Sequence, residues 1–138
     1  MSARPARVQL RRTRGWRMPA DTVKIDRTTK WGNPYLVERV GMVDSGDRDD
    51  DGRPVMVWPW RCIPKDAPAF IDGWFFATKR EAQQKAVDLY RAELSRRPDL
   101  VAASLDELRH KNLACWCGED EPCHGDVWIE VANRRIKP

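Results

Sequence analysis

Long apolar runs are missing from this 138-residue chain, where stretches such as Trp74-Phe75-Phe76-Ala77 span only a few positions. A membrane-spanning helix needs about 20 consecutive apolar residues, so none is expected. Acidic residues are missing from positions 1–17, which hold the arginines Arg4, Arg7, Arg11, Arg12, Arg14 and Arg17. That stretch also lacks the apolar centre of a secretory leader, and the expected location is cytoplasmic. Histidine is scarce, with only His110 and His124. No repeat or low-complexity tract is present. The length suits a single domain over residues 1–138, able to bury roughly two-thirds of the surface its unfolded chain exposes.

The charge that is there is unevenly placed. The net charge is +4, but residues 44–51 read DSGDRDDD and are strongly acidic. A basic end suits an anionic partner, either nucleic acid or a phosphorylated small molecule. Charge alone fits a solvated surface better and counts only as support. Asp47 to Gly52 matches the first half of a calcium-binding loop. The bidentate acid such a loop needs at its twelfth position falls on Trp58, and flanking helices are lacking. A solvated hairpin tip accounts for the acids instead.

Alternation and turn residues predict strands at about 6–10, 22–25, 35–40 and 55–58. The third and fourth of these are expected to form a hairpin with its polar tip at 44–53. Pro54, Pro59, Pro64 and Pro68 predict irregular chain after it. Residues 40–72 therefore read as an insertion on a smaller core. Thr78 followed by Glu81 is a capping-box signature, and Ala82, Ala86, Leu89, Tyr90 and Leu94 keep helical spacing. A helix is predicted over 79–95, a shorter one to about His110, and a C-terminal one over 123–134. Asn112 to Cys117 is a compact apolar strand, expected inside the sheet. The predicted fold class is α/β: a small sheet with the Cys115–Cys117 strand internal, and the helices 79–95 and 123–134 packed against it.

Cysteine carries the strongest chemical signal: Cys62 stands alone, whereas Cys115, Cys117 and Cys123 cluster and His124 follows at once. In a reducing compartment a disulfide framework is not expected. Two readings remain. In one, the C-terminal end of a buried strand leads into a helix N-terminus, where open α/β sheets bind ligands. The free N–H groups and positive dipole end there suit phosphate and lower a thiol pKa. Cys123, His124 and Asp126 are then the catalytic candidates. In the other, Cys115, Cys117, Cys123 and His124 are ligands of a structural zinc ion. Adjacent helical residues point about 100° apart, so Cys123 and His124 do not readily share one ion. No tightly held metal or other cofactor is expected, with zinc kept as the alternative.

The segment Arg27-Thr28-Thr29-Lys30-Trp31-Gly32-Asn33-Pro34 combines cations, hydroxyls, a close-approach glycine and an amide. These groups suit a phosphate or sugar, and Trp31 could stack on a base. Arg11 and Arg17 from the basic segment join Arg27, Lys30, Trp31, Gly32 and Asn33 as ligand-binding candidates. Of the seven tryptophans, Trp16 and Trp31 lie beside cations and read as functional. Trp58, Trp116 and Trp128 read as core.

Several motifs are familiar as a set: Arg7-x-Gln9-Leu10-Arg11-Arg12, Gly15-Trp16-Arg17-x-Pro19, Lys30 to Pro34, Asn112 to Cys117, and Cys123-His124-Gly125-Asp126-Val127. Together they resemble domain-of-unknown-function family 4326, found in bacteriophages and bacteria. The resemblance covers both ends of the chain and the helix at 79–95. It implies that Lys30–Pro34 and Cys115–Asp126 belong to one functional surface, and it transfers no reaction. The Cys-His turn is also similar to an uncharacterised bacterial family with a Cys-His-Arg pattern, in which Gly125 replaces the arginine. The function expected is binding or processing of a nucleotide or other phosphorylated ligand. A zinc-stabilised nucleic-acid-binding module is the alternative.

Overall fold

The computed structural model describes residues 5–57, 59–67 and 73–134. Trp58, expected in the core, and Pro68, with the end of the expected insertion, lie outside them. The described elements are β1 (Arg7–Gln9), β2 (Thr22–Lys24), β3 (Tyr35–Arg39), β4 (Val43–Arg48), β5 (Pro54–Val57), β6 (Trp60–Pro64) and β7 (Trp74–Phe76). Helices α1 (Lys79–Leu94) and α2 (Pro98–Glu107), strand β8 (Asn112–Cys115) and helix α3 (His124–Ala132) follow. The fold is α/β.

The cysteine strand is internal, as its apolar run predicts. β8 lies between β1 and β2 and pairs in parallel with both. Leu113 and Ala114 are fully buried in that position. The ladder runs past the strand ends, with Leu10 N–H donating to the Cys115 carbonyl at 2.7 Å and Ile25 N–H to the Ala114 carbonyl at 2.8 Å.

The middle of the chain departs from the sequence reading. β3 pairs not with residues 55–58 but with β6, in a second sheet of order β3-β6-β7. The prolines do not disrupt β6, because Pro59 precedes it and Pro64 closes it, where no central ladder bond is lost. The acids do not form one long tip either. Asp44 to Arg48 are strand β4, paired with β5 across an irregularity between Asp44 and Arg48. The turn is shorter, and Asp49 Oδ1 organises it by accepting the Asp51 and Arg53 N–H groups, each at 2.9 Å.

α1 begins as its signature predicts, with Thr78 Oγ1 accepting the Glu81 N–H at 3.2 Å. Its buried face is Ala82, Ala86, Val87, Tyr90 and Leu94. This face packs on β3, β6 and β7 and on α3. α1 thus covers the second sheet, and α3 is the helix that packs on β8 and β1, a correction to the expected placement of α1. The apolar stripe of α1 gives a buried face but not which sheet it meets.

Between the layers sits an aromatic knot. Trp128 is fully buried, and its ring meets Trp31 edge-on with centroids 5.0 Å apart. The Trp31 carbonyl accepts from Tyr90 Oη at 2.7 Å and from Trp128 Nε1 at 3.0 Å. The Tyr90 hydroxyl and the Trp128 indole N–H are thus both satisfied, which is what their burial requires. Among the described residues, no helix is long and apolar enough to cross a membrane.

Candidate functional site

A cleft of about 390 Å³ opens at the carboxyl ends of β2 and β8, between the two sheets. Asp26, Arg27 and Thr28 enter it from the loop after β2, and Trp116 and Cys117 from the loop after β8. Cys123 and His124 enter from the start of α3, while Ala86, Val87 and Val37 form the apolar wall. Ligands of open α/β sheets bind at this end of parallel strands.

The loop after β2 is tightly organised. Asp26 is buried, and its carboxylate accepts from Thr28 N–H at 3.1 Å and from Trp116 Nε1 at 3.1 Å. Burial works against the Asp26 charge, but the Thr28 donors, Trp116 and the Lys24 ammonium prevail and hold its pKa below the usual carboxylate range. Arg27 turns its guanidinium onto the carbonyls of Asn33 and Tyr35, the latter at 2.9 Å. Burial outweighs its neighbours and lowers its pKa. Gly32 is there because a Cβ would lie 2.6 Å from Arg27 Cα and 2.7 Å from the Asp26 carbonyl oxygen. Asn33 donates Nδ2–H to the Ala86 carbonyl at 3.0 Å, tying the loop to α1.

Of the ligand-binding candidates, Arg27 and Asn33 line the cleft. Gly32 supports its loop. Trp31 is in the core at 4% exposure, and Lys30 pairs with Glu107 at 2.7 Å, so neither lines it. Arg11 and Arg17 are exposed between β1 and β2. Arg12 instead places its guanidinium 4.9 Å from the Trp116 ring centroid. Trp116, expected in the core, is 44% exposed. Sequence reasoning missed Asp26 and Trp116 as cleft residues, and Arg12 as the cation over the Trp116 ring. The available signal was position: Asp26 and Trp116 each come within two residues of the end of a strand, and the two strands pair in parallel.

The cysteines converge. The sulfurs of Cys115, Cys117 and Cys123 all lie within 4.8 Å of one another, and the Cys115 and Cys123 sulfurs are 3.0 Å apart. Cys123 also caps α3, accepting the Gly125 N–H at 3.3 Å. Hydrogen bonds from Cys115 and then Cys117 draw the Cys123 pKa far down against burial, with His124 adding to the effect. Cys117 pulls Cys115 down, but its contact with Cys123 and its burial leave it pushed up to about 11. Cys62, alone in β6, is also pushed up to about 11, there by burial.

His124 directs Nε2 at the Ile25 carbonyl, 2.6 Å away. A carbonyl only accepts, so Nε2 carries the proton. Nδ1 faces the Cys123 sulfur at 3.7 Å. Asp126 does not orient this imidazole. It pairs with Arg7 Nε at 3.2 Å and lines a separate surface cavity with Arg7 and Arg80. Gly125, in the place of the arginine of the Cys-His-Arg pattern, leaves room for the Arg7 stem, since a Cβ there would lie 3.0 Å from Arg7 Cδ.

Fold and cleft together define an α/β protein with a cysteine-lined site at the carboxyl ends of a parallel sheet. Residues 8–134 match the family described as Domain of unknown function (DUF4326), and the chain belongs to that family. It is also similar to the "Uncharacterized 12.4 kDa protein in nrdA-td intergenic region" of Enterobacteria phage T4. The two are 32% identical over 59 residues, covering 41% of this chain and 54% of the phage protein. The chain thus spans about half the length of that curated relative. No solved structure matches.

Proposed function

We propose that the cleft binds a small molecule joining a flat ring to an anionic group, a nucleotide or another phosphorylated ligand. The observation that supports this best is Trp116, an exposed aromatic at the end of the central parallel strand. Its indole N–H is held by Asp26, and the Arg12 guanidinium lies over its ring. A ring entering the cleft meets Trp116 on one side and the apolar Val37, Ala86 and Val87 on the other. The Arg12 guanidinium and the positive dipole end of α3 suit the anionic end. Cys123 and His124 are the groups such a ligand would meet at the cleft floor.

The test titrates nucleoside monophosphates into the full chain by calorimetry, beside the nucleosides, inorganic phosphate and a single-stranded oligonucleotide. Saturable one-to-one binding of a monophosphate is expected, weakened at least about tenfold by Trp116→Ala, in line with about 1–3 kcal/mol per stacked base. Oligonucleotide binding with a steep salt dependence and none by mononucleotides would favour the nucleic-acid module instead.

A further inference from the structure

We propose that Cys115, Cys117 and Cys123 form a three-thiolate site for one zinc ion, whose fourth position faces the cleft. This goes beyond the ligand reading and does not depend on it. Cys115 ends β8, Cys117 lies two residues further on, and Cys123 starts α3, so rigid elements hold two of the three sulfurs. The sulfurs lie within 4.8 Å of one another. Zinc–sulfur bonds of about 2.3 Å in tetrahedral array place sulfurs about 3.8 Å apart. The 3.0 Å contact between Cys115 and Cys123 must therefore widen by less than about 1 Å, within side-chain reach.

The divergence of Cys123 and His124 bears on a four-ligand set, and three sulfurs do not need the imidazole. Cys117 and Cys123 both line the cleft, so a water or ligand atom has access to the remaining position. Three protein ligands with one exchangeable place is the arrangement of a reactive zinc site rather than a closed structural one. Soft thiolates select zinc over magnesium or calcium.

A second observation points to negative charge at the cluster. Arg7 Nη1 is buried and has no hydrogen-bond partner among the described residues. The other nitrogens of that guanidinium are engaged by Asp126 and by the Gly118 and Glu119 carbonyls. A buried cationic N–H without an acceptor is costly. Cys123 and Cys115 are charged neighbours of this guanidinium, and three thiolates on a divalent cation keep one net negative charge there.

The experiment uses the full chain under reducing conditions, stripped with chelator and then titrated with zinc against a chromophoric competitor. Cobalt is added separately to read thiolate charge-transfer and tetrahedral ligand-field bands. One zinc per chain is expected, with cobalt bands of a thiolate-rich tetrahedral site. Cys117→Ser should lower affinity at least about 100-fold, more than loss of an outer-shell partner does. Cys117 is the ligand to replace because it is half-buried, and a thermal melt checks that the variant folds. Cys117→Ala serves if the serine variant does not. Cys62→Ser and His124→Gln should retain the metal. No uptake by reduced wild type, unchanged uptake by the Cys117 variants, or loss in His124→Gln would overturn the three-thiolate site.

Discussion

Asp26 is 6% exposed and yet charged, and that balance makes it the residue through which acid acts on the site. Burial opposes its charge, while donors from Thr28 and Trp116 and the Lys24 ammonium hold its pKa below the ordinary value. Its folded-state pKa is therefore lower than its unfolded one. The stability it contributes is present above about pH 4 and is lost as pH falls through the folded value. Asp26→Asn should lose roughly 1.5–3 kcal/mol at neutral pH, the range for hydrogen bonds to a charged group. Urea melts from pH 7 down to about pH 2.5 check this, because the gap between the two proteins should narrow below about pH 4. A gap that stays constant would assign the loss to packing instead.

Among the elements, the β4–β5 hairpin stands apart. Its strands pair with each other, and Val55, Met56 and Val57 are all exposed. The chain closes beneath it, with the Val40 N–H donating to the Pro59 carbonyl at 2.9 Å. Replacing residues 43–57 by a short glycine-rich turn should move the melting temperature by less than about 4 °C, equivalent to under about 1 kcal/mol. Loss of cooperative unfolding would show that the hairpin is part of the core. The elements also show what the sequence could and could not convey. α1, α3 and the central position of β8 were legible, since capping residues and apolar spacing are local signals. The pairing of β3 with β6 was not, because it depends on which distant strand is covered by α1. At the site, the Cys-His turn and Asn33 were legible by residue type. Trp31 and Trp116 are reversed relative to the sequence reading, since Lys30 beside Trp31 suggests an exposed ring and the apolar cysteine strand around Trp116 suggests a buried one. Lys30 sits over the Trp31 ring at 4.8 Å, and Arg12 over that of Trp116 at 4.9 Å.

Across the whole molecule, the two sheets meet through α1 and α3, and Trp128 fills their junction. Trp128→Ala should cost about 3–5 kcal/mol. That is a large share of the roughly 5–15 kcal/mol available to a folded domain. Urea unfolding followed by near- and far-ultraviolet circular dichroism should show one earlier transition in both signals. Separate transitions would mean that the sheets are stable independently. The placement of β8 has a further consequence, for synthesis. β1 and β2 leave the ribosome first, but neither pairs with the other, and each waits for a strand about 90 residues or more downstream. Both halves of the parallel sheet stay open until β8 emerges, so contacts far apart in sequence set the pace of folding. A chain cut short before Asn112 has no partner to offer either strand, and it exposes two unpaired edges where the finished protein has a buried centre.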